Sequence, residues 1–266
     1  MLIRITLLTA LLYFSALVNI NAQHSKLQGP VSVPDIHTVY VYQKSNWDGS
    51  NASTIFLYVK DSSRLESFKW APGYTKAALV TAIMDWQYFA VKYFSNHHLD
   101  TLCNRKLVAE LKVANGKNSS VQVGDYKDSM LLADTYWHSY DFDMASLGFS
   151  WRGLKNKKEN FHTLIADVVS QNGKPAFINK GNVDITYLGT EKINRKKCLK
   201  YKIDGPGLEN KGGHIWINPK TSMIEQYKIE LPDEDAFDNG MLHLKRTLKM
   251  TPQEWDVFIC DKMKGK

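Results

Sequence analysis

Three polar residues in the middle of the chain offer its best candidate for acid and base chemistry. His138 is followed by Asp141 and Asp143 within one short segment. An imidazole and a carboxylate that lie close together can transfer protons to and from a substrate, as they do in hydrolytic enzymes. Acidic residues also favour the first turn of a helix, where they complement the helix dipole. The three residues are therefore candidate catalytic groups, and a plain helix start is the alternative interpretation.

Common signatures of catalysis are missing from the sequence. It contains no GxSxG, no HExxH, no Walker-type phosphate loop and no glycine-rich dinucleotide motif. Cys103, Cys198 and Cys260 lie too far apart for the usual metal-ligand spacing. His97 and His98 would point to opposite faces of a strand, so we interpret them as surface-loop residues rather than metal ligands. We expect a binding protein rather than an enzyme, with no cofactor and no metal.

Aromatic residues and one arginine form a second group of candidates. Trp70, Trp86, Trp137 and Trp151 could line a pocket for an acyl chain or stack on sugar rings, although core packing accounts for the same residues. Arg246 falls on the face of the last predicted strand that leucines otherwise occupy. An inward arginine indicates a polar cavity, whereas a strand bulge that reverses the register explains the same pattern without one. We take these five residues as candidate ligand-binding residues.

The elements that must position these residues are mostly strands. Thr38–Lys44 and Thr54–Lys60 are rich in β-branched and aromatic residues and flank Asp48-Gly49, a strong hairpin signal. Period-two alternation is clearest in the second half, for example at Leu199, Tyr201 and Ile203. Further strands are expected at 65–70, 78–85, 88–94, 107–113, 120–123, 215–217, 227–231 and 242–250. The pattern predicts an antiparallel meander.

Two helices are expected to cover this sheet. Residues 251–254 read Thr-Pro-Gln-Glu, which supplies a cap residue, a first-turn proline and a glutamate three residues after the cap. Gly265 suits the end of this C-terminal helix. A central helix is expected over about Tyr136–Leu147 because apolar residues recur there on one helical face. The expected fold class is mainly β (α+β), a twisted antiparallel half-open barrel covered by both helices.

The start of the chain has the three-part order of a cleavable signal peptide, residues 1–22. Arg4 supplies a positive charge, an apolar stretch follows over Leu7–Val18, and Ala22 is a small residue at the cleavage site. The stretch is too short to span a bilayer, which needs about 20 residues, and no comparable run follows, so we expect no integral membrane segment. Residues 23–35 then form an extended lead-in, and residues 36–266 a single β-rich domain.

Export and charge restrict the location and the partners. A signal peptide predicts a periplasmic or secreted protein, in which two of the three cysteines could pair, without indicating which two. The net charge is +7, but the basic residues of 155–158 and 195–197 lie beside apparent turns rather than along one stripe. Short clusters of this kind are usually solvated, so we expect no nucleic-acid partner. We also expect the protein to be a monomer.

One region resembles a known family of envelope proteins. It contains the run Leu-Gly-Thr-Glu at 188–191, a basic turn at 194–195, a strand at 198–203, the run His-Ile-Trp-Ile-Asn-Pro-Lys-Thr at 214–221 and Ile-Glu at 224–225. Over residues 187–233 the chain thereby resembles bacterial proteins built like the lipoprotein carriers LolA and LolB. The resemblance implies an incompletely closed antiparallel barrel whose concave face takes acyl chains. Within the turn, Asn218 can cap the chain and Pro219 fixes a backbone angle.

Taken together, these observations predict an exported, non-enzymatic binding or carrier-like protein for an apolar or lipid-like ligand. An envelope hydrolase that uses His138, Asp141 and Asp143 is one alternative. A surface module whose edge strand pairs with a partner chain is another. A hollow on the inner side of a curved sheet would favour the first of the three.

Overall fold

In a computed structural model of the chain, the described residues are 25–26, 30–115, 118–131, 137–139, 144–171, 174–232 and 237–265. The predicted signal peptide, residues 1–22, lies outside them. The first half of the chain provides β1 (Ser25–Lys26), β2 (Thr38–Ser45), β3 (Ser53–Val59), β4 (Arg64–Trp70), β5 (Lys76–Asp85), β6 (Ala90–Asp100), β7 (Arg105–Asn115), β8 (Asn118–Val123) and β9 (Tyr126–Leu131). The second half provides β10 (Trp137–Ser139), β11 (Phe161–Gln171), β12 (Lys174–Ile193), β13 (Lys196–Asp204), β14 (Gly213–Ile217), β15 (Ile224–Ile229), β16 (Gly240–Lys249) and helix α1 (Pro252–Met263). Two 3-10 helices, Ala145–Gly153 and Pro206–Leu208, lie between strands.

The described strands all belong to one open sheet, and the prediction of a mainly β fold is confirmed. Strands β2 to β9 follow one another in the sheet, as do β11 to β16, and the pairing of β16 with β2 joins these two meanders. Successive strands within them are antiparallel, whereas β1 and β10 pair in parallel with β11. Short turns make this order possible, because antiparallel neighbours need only a two-residue connection.

Side chains alternate between two separate cores. On β2, Tyr42 belongs to the larger core, whereas its neighbour Val41 belongs to the smaller core under α1. The larger core also includes Leu111 of β7 and Ile165 of β11, which come from opposite ends of the strand order. A sheet whose two ends share one core must curl. We call the face toward the larger core the inner face and the face that carries α1 the outer face.

The predicted central helix over about Tyr136–Leu147 is not confirmed. Trp137–Ser139 instead form β10 beside β11, and the helical segment is a 3-10 helix, Ala145–Gly153, that begins after Met144. Met144 has a φ of 61°, and a residue in this left-handed region interrupts a right-handed helix. All residues from Ala145 to Trp151 are buried, so this segment fills the inner core instead of covering the sheet.

The predicted C-terminal helix is present with the expected start. Thr251 Oγ1 accepts a hydrogen bond from the Glu254 backbone N–H, and the Glu254 carboxylate accepts one from the Thr251 backbone N–H, which completes a capping box. Trp255 anchors the helix, since its Nε1–H donates to Glu66 Oε2 at 2.7 Å and its ring stacks on Tyr58 at 4.8 Å. No helix in the described ranges has the length and apolarity that crossing a membrane requires.

The region that resembles the carrier family folds into consecutive strands, β12 to β15. Its basic turn has positive φ angles at Asn194 and Arg195, 48° and 67°, as a two-residue type I′ hairpin requires. Asn218 caps the β14–β15 turn, because its Oδ1 accepts hydrogen bonds from the backbone N–H groups of Lys220 and Thr221, at 2.9 and 3.4 Å. The predicted capping role of Asn218 is thereby confirmed.

One disulfide joins α1 to the sheet. Cys103, in the β6–β7 turn, is bonded to Cys260 of α1, with a Cα–Cα distance of 5.5 Å, and Cys198 is free and buried. The sequence left this pairing open. Arg105 Nη2, two residues after Cys103, also forms an ion pair with Asp256 Oδ1 of the helix at 2.9 Å. A covalent and an ionic contact therefore hold the outer helix to the same turn.

We expect the disulfide to contribute substantially to stability because it closes a loop with a sequence separation of 157 residues. The double variant Cys103→Ser/Cys260→Ser should lose about 2–4 kcal/mol of unfolding free energy, measured by urea titration followed by tryptophan fluorescence. A thiol reductant should destabilise the wild type by a similar amount and leave the variant unchanged. Equal stabilities of the oxidised wild type and the variant would contradict this role.

Candidate functional site

The candidate catalytic histidine lies in the protein interior. His138 of β10 is 1% exposed, its Nε2 lies 3.0 Å from Ser146 Oγ, and its ring stacks on Phe89 with 5.7 Å between centroids. Ser146 is equally buried, at 1%. Asp141 and Asp143, its predicted partners in proton transfer, lie outside the described residues. A serine and a histidine within hydrogen-bond distance suggest a nucleophile and its base, but at this burial neither reaches a substrate from solvent.

Burial also changes the chemistry of this imidazole. Loss of water around His138 lowers its pKa to about 3, so the folded protein holds the ring neutral at physiological pH. A general base works best when its pKa lies near the working pH, because it must gain and release a proton in turn. The position of His138 therefore fits a polar group that is satisfied within the core.

Two of the candidate tryptophans, Trp151 and Trp86, belong to the inner core. Trp151 is fully buried and meets Phe161 and Tyr201 edge to face, each at 5.1 Å. Trp86 is 8% exposed and donates from Nε1 to the Ser62 carbonyl oxygen at 2.7 Å.

The other two tryptophans are Trp70, which lies on the outer face, and Trp137, whose side chain is outside the described part of the structure. Trp70 packs against the outer core, where Lys262 Nζ lies 5.3 Å from its ring centroid. For Trp137, only the backbone, in β10, is described. Aromatic packing thus fills the middle of the inner core, and a ligand-binding role for these tryptophans stays a prediction.

Arg246 does not point into the inner core. The register between β16 and β2 shifts between Leu244 and Arg246, so Leu244 lies opposite Tyr42 on the inner face while Arg246 lies opposite Val41 on the outer face. Its side chain is exposed. The strand bulge that the sequence left open as an alternative is therefore present, and the expectation of an inward arginine is corrected.

A cavity of about 540 Å³ opens at one end of the sheet. Its wall comes from the first residue of β5, the last residues of β6, the start of β7 and the end of β8. The lining residues are Lys76, His98, Asp100, Asn104, Arg105, Lys106, Leu107, Val108, Val123 and Gly124. Protein cavities that hold small ligands commonly measure about 300–1,000 Å³, so this volume suits a ligand.

The strand register places much of this cavity on the inner face. His98 lies opposite Ala78 on β5 and opposite Lys106 on β7. Residues that are opposite each other in antiparallel strands share a face, and Ala78 shares its face with Val80 of the inner core. The cavity therefore opens at the end of these strands, with His98 and Lys106 of its lining on the inner face.

The wall of the cavity is apolar between charged residues. Val123 is 3% exposed and belongs to the inner core, whereas Leu107 is 38% exposed and lies opposite His97 on the other face. Val108 is the residue that the β6–β7 register skips, and its carbonyl oxygen accepts a hydrogen bond from the Gly124 N–H at 2.9 Å. The bulge therefore lies in the wall of the cavity, and a bulge of this kind bends its strand locally.

Sequence reasoning did not find this cavity. His97 and His98 were expected on a surface loop, but both lie in β6, which continues to Asp100. They do point to opposite faces, since His97 lies opposite Leu79 of the outer core. The available signal was the basic and apolar run at 105–108, yet only the register shows that it meets the end of β8.

Burial of a neutral His138 predicts that acid destabilises the protein. The unfolded chain takes up a proton at this residue below about pH 6.5, while the folded protein does so only near pH 3. The free energy of unfolding should therefore fall as the pH drops from 6.5, and the loss from this residue should reach about 2 kcal/mol at pH 5. Urea unfolding at pH 7 and pH 5 measures the free energy of unfolding of the wild type and of His138→Gln. The stability difference between the two proteins should narrow by that amount at pH 5, and an unchanged difference would contradict the assignment.

Two solved structures are similar to this chain. A β-barrel-like protein with a domain of unknown function from Brucella abortus has 10% sequence identity and a TM-score of 0.45, and the match covers 82% of this chain and 99% of that one. A putative outer membrane lipoprotein-sorting protein domain from Vibrio parahaemolyticus has 9% identity and a TM-score of 0.23, with 85% and 91% covered. The second is described as a protein of the same kind as the family that residues 187–233 resemble. No protein-family model matches the sequence, and no curated protein matches it significantly.

Proposed function

We propose that this protein binds an apolar, lipid-like ligand in the cavity at the end of its inner face and acts as a carrier or binding protein. The observation that carries the proposal is the cavity itself, about 540 Å³ with Leu107, Val108 and Val123 in its wall. Apolar surface that moves out of water into such a cavity contributes roughly 25 cal/mol per Å². An acyl chain supplies apolar surface of this kind without needing polar partners in the wall.

The proposed ligand position differs from the one that the sequence predicts, because no candidate tryptophan is among the described residues that line the cavity. Aromatic packing around Trp151 occupies the middle of the inner face, so a ligand is accommodated at its end, where small residues such as Val108 and Gly124 line the wall. The buried position of His138 argues against the hydrolase alternative, because a substrate could not approach this imidazole without opening of the core.

We further propose that the protein works outside the cytoplasm, in the periplasm or in the medium. The Cys103–Cys260 disulfide supports this location, because structural disulfides persist in oxidising compartments and are rare in the cytosol. The predicted signal peptide points the same way.

Ligand uptake tests the first proposal directly. We expect purified, delipidated protein to bind a dansyl-labelled undecanoic acid saturably, with increased fluorescence as the dansyl group leaves water. Val108→Trp should weaken this binding about fivefold or more, because the larger ring occupies the cavity while the backbone hydrogen bond to Gly124 is kept.

Val257→Trp is the matched control, since Val257 is 60% exposed on α1 and does not line the cavity. It should bind the probe as the wild type does. Absence of saturable uptake by the wild type, or equal weakening by both substitutions, would overturn the proposal.

A further inference from the structure

The mouth of the cavity carries more basic than acidic side chains. Lys76, His98 and Lys106 are exposed around it. Across the described ranges, neither lysine forms an ion pair within 4 Å, whereas Arg105 is engaged by Asp256 of α1. Two ammonium groups are thus available at the entrance to an apolar space.

Among the described lining residues, the one carboxylate, Asp100, is held by its own turn. Asp100 Oδ1 accepts hydrogen bonds from the backbone N–H groups of Leu102 and Asn104, at 2.8 and 2.9 Å, and Oδ2 accepts one from Asn104 Nδ2 at 2.9 Å. The hydrogen bonds from Asn104 lower the pKa of Asp100, so it stays ionised. Lys76 lies directly opposite Asp100 in the register, yet no ion pair joins them. The hydrogen-bond partners of this carboxylate therefore come from the turn and not from Lys76.

The register also fixes how the basic groups are arranged. Lys106 lies opposite His98, so their Cβ atoms are about 5 Å apart. The pair formed by Lys76 and Asp100 lies two residues further along β5 and β6, about 7 Å away. Flexible lysine side chains span such a gap easily. Nitrogen donors from three strands can therefore converge on one group of atoms at the mouth.

We propose that the ligand is an anionic amphiphile, with its acyl chain against Val108 and Val123 and its carboxylate or phosphate head at Lys76, His98 and Lys106. This inference rests on the proposed function, because it requires that the cavity holds an apolar chain. The chain gains free energy by leaving water, whereas a buried charge loses its hydration, so the head stays at the mouth. Charged donors there form stronger hydrogen bonds to an anion than to a neutral head.

A comparison of two probes with the same chain tests the head group. Dansyl-undecanoic acid should bind the wild type about five- to tenfold more tightly than its methyl ester, which has the same chain but replaces the charge with a methyl group. Raising the salt concentration to about 0.5 M should weaken binding of the acid and leave the ester nearly unchanged, since salt screens exposed charges. In displacement assays, dodecanoate and dodecyl phosphate should compete better than dodecanol. Inorganic phosphate alone should compete poorly, because it lacks the chain.

Variants that remove charge test whether Lys76 and Lys106 cause the preference for the acid over the ester. Lys76→Met/Lys106→Met should bind the acid about five- to tenfold more weakly and the ester as the wild type does. The matched control is Lys155→Met/Lys220→Met, which removes the same charge at two exposed lysines away from the cavity. It should preserve the preference for the acid.

The outcomes separate this inference from the proposed function. Equal affinity of the wild type for the acid and the ester would overturn the inference of an anionic head group but would leave the proposed apolar site unaffected. A preference that survives in Lys76→Met/Lys106→Met, or that disappears equally in the control, would overturn its assignment to these lysines. Competition by inorganic phosphate as strong as that by dodecyl phosphate would show a free-anion site instead. Failure of both probes to bind would overturn the proposed function itself.

Discussion

The backbone pairing between β16 and β2 is the constraint on which the rest of the structure depends. It joins residues near the two ends of the described domain, from Met241 opposite Ser45 to Lys249 opposite Thr38. Without it, each meander would present an unpaired edge of N–H and C=O groups to water. With it, the sheet is long enough to curl, and side chains from both halves bury one another in the inner core.

The irregularity within this pairing matters as much as the pairing itself. By skipping one residue after Leu244, β16 keeps its first leucines on the inner face and directs Leu248 toward the smaller core under α1. Arg246 shares this outer face and stays in solvent. Leu242, Leu244 and Leu248 would all share one face of a strictly alternating strand, and the bulge lets them contribute to both cores.

Local signals in the sequence predicted much of this fold. The alternating runs at Thr38–Lys44 and 199–203 and the capping residues at 251–254 depend on neighbours only, and the structure confirms them. The central helix failed because apolar spacing cannot show that Met144 adopts a left-handed angle. The cavity could not be predicted either. Its residues come from four strands, and a one-residue shift such as the one at Val108 decides whether they meet.

The disulfide between Cys103 and Cys260 has a consequence for recognition as well as for stability. It holds the turn that leads into Arg105 and Lys106, and so restrains one side of the cavity. Association normally requires that flexible parts lose conformational freedom, which subtracts from affinity. A covalently restrained wall has already undergone most of that loss during oxidative folding. For the ligand binding proposed above, the crosslink thus preorganises the entrance close to its bound shape.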